Sequence, residues 1–328
     1  MWCCAVAQVV VELRERIEIV HTPEFLLWLQ YLFPVFEQLL RQRLPPQMVD
    51  NQFNKIRAVL WDILNRLPHS ETLQPYALQL LKLCMDMLKL ENEDNAVICV
   101  RTVFDLHKAR NFRPLLEPEV QPFLDLVLLF YRNLKASVAK VFGAEGIRQA
   151  TAAAATAAAA RAAAATPLAA AAEPMPLLPC TDSFKVLVEC PIIVMLLFQL
   201  YHKYVPQYIP EMIPIMISAL GLQPPGGVPS NPVLMGRFKE LLAAQVKTLS
   251  FLTYLLKSFG DTFRQQQRAM SNHIMSLLRR MPPDAIMVRK DLLTASRHIF
   301  ATEFRQGERR VALLMWMPLG LHVSDVWR

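Results

Sequence analysis

Helix-start signals recur at a steady cadence over the first part of this chain, and that cadence constrains its architecture more than any other feature. They stand at Thr22-Pro23-Glu24, Asp50-Asn51, Ser70-Glu71, Asn92-Glu93-Asp94 and Glu117-Pro118. Each offers a side-chain oxygen for free backbone amides, a proline suited to the first helical turn, or negative charge at the positive end of the helix dipole. Alternate starts (Pro23 to Glu71, Asn51 to Asn92, Glu71 to Pro118) lie 48, 41 and 47 residues apart. The unit that repeats is therefore a pair of helices.

A helix pair recurring every ~40–47 residues is the period of HEAT and armadillo arrays, whose units stack into a curved surface. The apolar residues agree. Phe25, Trp28, Leu29, Leu32, Phe33, Phe36, Leu39 and Leu40 follow three- and four-residue steps, as do Phe53, Ile56, Val59, Leu60, Ile63, Leu64 and Leu67. Later runs repeat the pattern from Leu73 to Leu88, from Val97 to His107 and from Phe123 to Tyr131. One-sided helices of this kind bury their stripes only against neighbours. Pro34, inside the first run, removes a backbone donor and predicts a kink or break. With only 9 glycines and no Asn-Gly or Asp-Gly hairpin signals, the fold class expected is all-α, a HEAT-like solenoid.

An alanine-rich, low-complexity insert interrupts this array. Residues 150–172 hold 17 alanines, which inflate the hydrophobic fraction of 53% without supplying large side chains to dock. Pro167, Pro174, Pro176 and Pro179 then forbid one continuous helix. The organisation expected is a first helical block over 1–143, a largely unpacked insert over 144–182, a second block over 183–306 and a divergent, poorly ordered end over 307–328. Helices of the second block are predicted near 184–204, 206–220, 231–259, 261–280 and 283–305, with a surface loop at 223–230.

Composition and motifs point away from membranes and catalysis. The apolar stretch Pro191 to Leu200 is shorter than the ~20 residues a bilayer span needs and reads as a buried repeat helix. The amino terminus has no basic region before its short apolar run, as a secretory signal would. Six cysteines show no CxxC pair and no zinc-ligand spacing, which fits a reducing compartment and no metal. The glycine pairs Gly143/Gly146 and Gly226/Gly227 lack the strand-to-helix setting of a phosphate loop. Ser258-Phe259-Gly260 has serine where a kinase needs a magnesium-binding aspartate. Seven histidines are scattered, and Glu91, Glu93 and Asp94 are explained as capping and dipole partners at a helix start. No catalytic, cofactor-binding or metal-binding residues are expected.

Charge is distributed unevenly. Between Arg264 and Arg310 ten Arg/Lys stand against four acids, an excess of +6 within a net charge of +7. The alternatives are a solvated basic helix pair or a landing site for an acidic partner. Arg279, Arg280, Arg289, Lys290 and Arg297 are the candidate partner-binding residues. Aromatics do not interleave with them, so direct nucleic-acid binding is not expected.

Several separated blocks also carry a family resemblance. They are Asn54-Lys55-Ile56-Arg57 through Leu67-Pro68, Leu73-Gln74-Pro75-Tyr76, Glu91-Asn92-Glu93-Asp94-Asn95-Ala96-Val97-Ile98-Cys99-Val100-Arg101 and Leu106-His107-Lys108. Further on come Glu189-Cys190-Pro191-Ile192-Ile193-Val194, Val246-Lys247-Thr248-Leu249-Ser250-Phe251-Leu252 and Arg289-Lys290-Asp291-Leu292-Leu293-Thr294-Ala295-Ser296-Arg297-His298-Ile299. In this order they resemble the amino-terminal HEAT region of the transcription/transformation domain-associated proteins, pseudokinase scaffolds of the phosphatidylinositol-3-kinase-related family. The likeness covers roughly 13–142 and 183–305.

The resemblance implies a non-catalytic, nuclear coactivator scaffold of SAGA-type and related histone acetyltransferase complexes, with roles in chromatin and DNA repair. It implies two kinds of partner, acidic activation domains of transcription factors and the other complex subunits. It carries no family binding residue to a numbered position. The likeness stops near Gln306-Gly307, so the chain is expected to be a fragment whose last residues are truncated or wrongly predicted. Two rival readings are the regulatory part of an active kinase of the same superfamily and a generic transport or assembly scaffold.

Overall fold

The computed structural model describes residue 15 and residues 23–42, 52–163 and 178–301. Expectations that fall on Thr22, on Asp50-Asn51 and on 307–328 concern residues outside these. The longer helices are α1 (Pro23–Arg41), α2 (Gln52–Asn65), α3 (Gln74–Met87), α4 (Glu93–Lys108), α5 (Val120–Val141) and α6 (Ala144–Ala163). They continue with α7 (Phe184–Leu200), α8 (Val205–Leu220), α9 (Pro232–Leu256), α10 (Gln267–Arg280) and α11 (Ile286–Ala301). Among the described residues there is no β-strand, only one isolated antiparallel bridge between Asn92 and Pro179.

Where a capping side chain was read from the sequence, its performance varies. Asn92 accepts from the amides of Asp94 and Asn95 at 3.1 and 3.0 Å, as a helix start requires. Ser183 and Asn231, which the sequence reading does not single out as caps, cap α7 and α9 in the same way. Ser70 does not cap α3. Its hydroxyl pairs with Thr72, and the helix begins later, with Pro75 in its first turn. Glu117-Pro118 forms a 3-10 turn that leads into α5. Pro34 does not break α1, because it is exposed while Phe33, Phe36 and Leu40 around it are buried. Its missing hydrogen bond therefore faces water.

The helices form two layers. In one, α2, α4, α7, α9 and α11 pack in succession. In the other, α8 lies between α5 and α10, and α1 and α3 cover the first repeats. Packing between the layers buries Trp61, Phe123, Phe184, Phe238 and Leu249 completely or nearly so. This is an all-α, HEAT-like array. No single described helix is long and apolar enough to cross a membrane, and α7, which contains the apolar stretch, is largely buried.

The alanine-rich segment is docked at both ends. α6 packs against α5 and α9, with Ala150 buried, because small side chains permit close approach of helices. Gly143 and Gly146 make the α5–α6 corner. A Cβ on Gly146 would collide with the carbonyl of Val141, and one on Gly143 with the carbonyl of Ala139. Residues 178–182 then return into the core.

Candidate partner-binding face

α4 and α9, on either side of the alanine-rich segment in sequence, are joined by buried charge centred on the turn before α4. Glu91 has no exposed surface and sits under the Arg57 guanidinium, whose Nε donates at 2.9 Å and whose Nη2 also contacts it. Trp61 Nε1 donates to the same carboxylate at 3.1 Å and Asn95 Nδ2 at 3.2 Å. Two residues on, Glu93 accepts both Nη atoms of Arg237 on α9 at 2.6 Å, a bidentate pair spanning 144 positions. Lys185 and Glu240 complete the cluster. Burial raises the Glu240 carboxyl pKa against the pull of Arg237. Burial also opposes the Arg237 charge, yet the Glu93 carboxylate outweighs it and the Arg237 pKa is raised.

Backbone bonds lock the same turn. Glu93 N donates to Leu178 O and Cys180 N to Glu91 O, both at 2.9 Å. The Cys180 thiol donates to Leu88 O. A second tie joins α4 to the end of α7, where His107 Nδ1 meets the Tyr201 hydroxyl at 3.1 Å. Burial and the nearby Arg113 push His107 down to about 4. In the sequence Glu91, Glu93 and Asp94 read as capping and dipole partners. Asn92 supplies the cap, and Glu93 and Asp94 stand in the first turn of α4, where the dipole favours acids. Glu91 and Glu93 serve in addition as ion-pair partners of Arg57 and Arg237. Their clustering around an asparagine was the only signal, and nothing in spacing could pair Glu93 with Arg237.

The five candidate basic residues separate into two groups. Arg280 is half-buried, and it donates through Nη1 to Leu222 O at 3.0 Å and through Nε to Ser276 O at 3.2 Å. Burial lowers its pKa. Arg289 directs Nη2 to the carbonyls of Met281 and Pro282 at 3.1 and 3.4 Å, joining α11 to the turn before it. Arg279, Lys290 and Arg297 are exposed and form no ion pair among the described residues.

Local acids do not compensate them. Asp284 is held by Lys239 at 2.5 Å and Asp291 by Lys247 at 2.9 Å, both from α9. The Lys239 hydrogen bond holds Asp284 below the usual carboxylate range. Lys290 and Arg297 lie two turns apart on α11, and Ile286 and Met287 at its start are 70% and 69% exposed. Beside them runs a groove of about 230 Å³ between α9 and α11, lined by Lys247, Ser250, Thr253, Asp291, Thr294, Ala295 and His298. The face thus offers positive charge, exposed apolar contacts and an interhelical groove. Among the described residues no group of His, Cys, Asp and Glu is placed to hold a metal ion.

Fold and face together define a helical-repeat scaffold with a basic, partly apolar surface. The family model described as the Tra1 HEAT repeat central region matches residues 237–309. The chain is 34% identical, over 90% of its length, to the probable transcription-associated protein 1 of Dictyostelium discoideum. It is 27% identical over 90% to the transformation/transcription domain-associated protein of Homo sapiens. Identity is 23% over 90% to the SAGA complex/NuA4 acetyltransferase complex subunit TRA1 of Saccharomyces cerevisiae. The chain belongs to this Tra1 and transformation/transcription domain-associated protein family. It spans 8–9% of the length of these relatives, and the matched description puts 237–309 in the central HEAT region rather than the amino-terminal one expected.

Proposed function

We propose that the chain is a non-catalytic scaffold segment of nuclear histone acetyltransferase complexes of the SAGA and NuA4 type. In this reading it docks other complex subunits and takes up acidic activation segments of transcription factors on the α10–α11 face. Support for the complex comes from the names of its relatives. Support for the face comes from one observation above the rest: α9 has already neutralised Asp284 and Asp291, so Arg279 on α10 has no described ion-pair partner, and neither do Lys290 and Arg297 on α11, the helix that exposes Ile286 and Met287.

The mechanism follows from these groups. An acidic amphipathic segment is steered by long-range attraction and then orders as its apolar side chains cover Ile286 and Met287. Arg280 and Arg289 contribute by holding the helices in place rather than by touching the partner. Fluorescence anisotropy with an acidic amphipathic peptide tests the face. Affinity is expected to fall as salt rises and in an Arg279→Glu/Lys290→Glu/Arg297→Glu variant; affinity unchanged by both would refute it. Affinity purification tests the complex, with acetyltransferase subunits expected to co-purify and their absence counting against that assignment.

A further inference from the structure

α8 contains three prolines in 16 residues and still forms one helix. Pro206 lies in the first turn, where its missing N–H is not needed. Pro210 and Pro214 lie in the interior. Each removes the donor that would serve the carbonyl four residues earlier, so the Pro206 and Pro210 carbonyls have no intrahelical partner. Ser218 continues the series, since its Oγ donates back to Pro214 O at 2.9 Å, a bond that tends to bend helices.

Residues 206, 210, 214 and 218 recur every fourth position and therefore share one stripe. Three of them are exposed and Pro214 is half-buried. The opposite side, with Ile209, Met212, Ile213, Met216 and Ile217, is buried and keeps its donors. Packing does not require proline at the exposed positions. All the weakened bonds lie on the solvent side, so bending the helix away from that side costs least and is confined to a single plane.

The two halves of α8 are gripped by different neighbours. At its start, Tyr208 donates to Asp125 Oδ1 at 2.7 Å and to Gln121 O at 3.3 Å, and Arg132 pairs with Glu211, all on α5. At its end, Gln245 Nε2 from α9 donates to the carbonyls of Ala219 and Leu222 at 2.9 and 2.8 Å. Arg280 of α10 reaches Leu222 as well, and the His273 ring packs on Gly221. We infer that α8 is a one-plane hinge, held by α5 at one end and by α9 and α10 at the other, through which the array changes curvature. Motion there alters the angle between the α5 repeat and the α10–α11 repeat without breaking either grip.

The test uses the full 328-residue chain and a Pro210→Ala/Pro214→Ala variant, which restores both donors, with exposed Gln207→Ala as control. In native-state hydrogen exchange, amides of α8 after Pro210 are expected to exchange about tenfold faster in the parent chain than in the double variant, with the control equal to the parent. Spin labels at Gln121 on α5 and Asn272 on α10 give an independent readout, because their distance distribution is expected to narrow in the double variant. Equal exchange and equal widths in parent and double variant would overturn the hinge. So would a control that changed as much as the double variant.

Discussion

The turn at Glu91–Glu93 and the face of α11 use the same chemistry to opposite ends. At the turn, the carboxylates of Glu91 and Glu93 lie 0–2% exposed, and each meets a guanidinium from another helix. On α11 the one acid, Asp291, is taken by Lys247 of α9, and the bases Lys290 and Arg297 are left facing water. The difference lies in solvent. A buried charge deprived of its partner keeps its desolvation penalty, whereas an exposed one is rehydrated. The first region therefore holds α4 to α2 and α9, and the second is free to act on something outside the chain.

That contrast breaks most visibly at Glu93. Glu93→Gln leaves the Arg237 guanidinium partly buried against a neutral amide and is expected to destabilise the fold by about 3–5 kcal/mol in urea unfolding. A Glu93→Leu/Arg237→Met double variant removes both charges and is expected to recover much of that loss. If the single substitution were silent, the joint between α4 and α9 would have to lie elsewhere.

His107 extends the buried side of the comparison to pH. Its folded pKa of about 4 lies below the usual histidine value, so the fold holds it neutral. As pH falls from about 6.5 the unfolded chain takes up the proton first, and stability is lost until about pH 4, by about 3 kcal/mol in all. His69 and His273, both lowered by burial, act in the same direction. Unfolding free energy measured from pH 7 to pH 4 in the parent and in His107→Gln checks this, since the variant should show a visibly flatter profile. Gly146→Ala comes next in size. Its methyl meets the Val141 carbonyl, and the strain is expected to cost about 2 kcal/mol by thermal unfolding.

Much of this architecture was legible in the sequence because it is local. Periodic apolar stripes gave the helices, and Asn92 and Glu117-Pro118 marked their starts, since a cap acts within four residues of itself. The start at Ser70-Glu71 moved because Pro75 fits a first turn and the Ser70 hydroxyl found a nearer partner. Long-range pairs were not legible. Glu93–Arg237 and His107–Tyr201 join residues 144 and 94 positions apart, and only the stacked fold brings them together. The same limit applied to the basic face. Composition located the positive region, but whether Arg280 and Arg289 point to solvent or to a carbonyl depends on how α10 and α11 pack.

The smallest effect on stability, and the clearest on binding, belongs to that face. Lys290→Glu/Arg297→Glu alters two exposed side chains with no described ion pair, so unfolding free energy is expected to stay within about 0.5 kcal/mol of the parent. Affinity for an acidic amphipathic peptide is expected to fall about tenfold at 50 mM salt, with the gap between parent and variant narrowing as salt screens the attraction. Arg280→Ala sharpens the point from the other side. It removes a guanidinium held by the carbonyls of Leu222 and Ser276, so it should lower stability while leaving the salt dependence of binding intact. If Arg280→Ala instead abolished the salt dependence, the partner would be contacting Arg280 directly, and the division between structural and exposed arginines would fail.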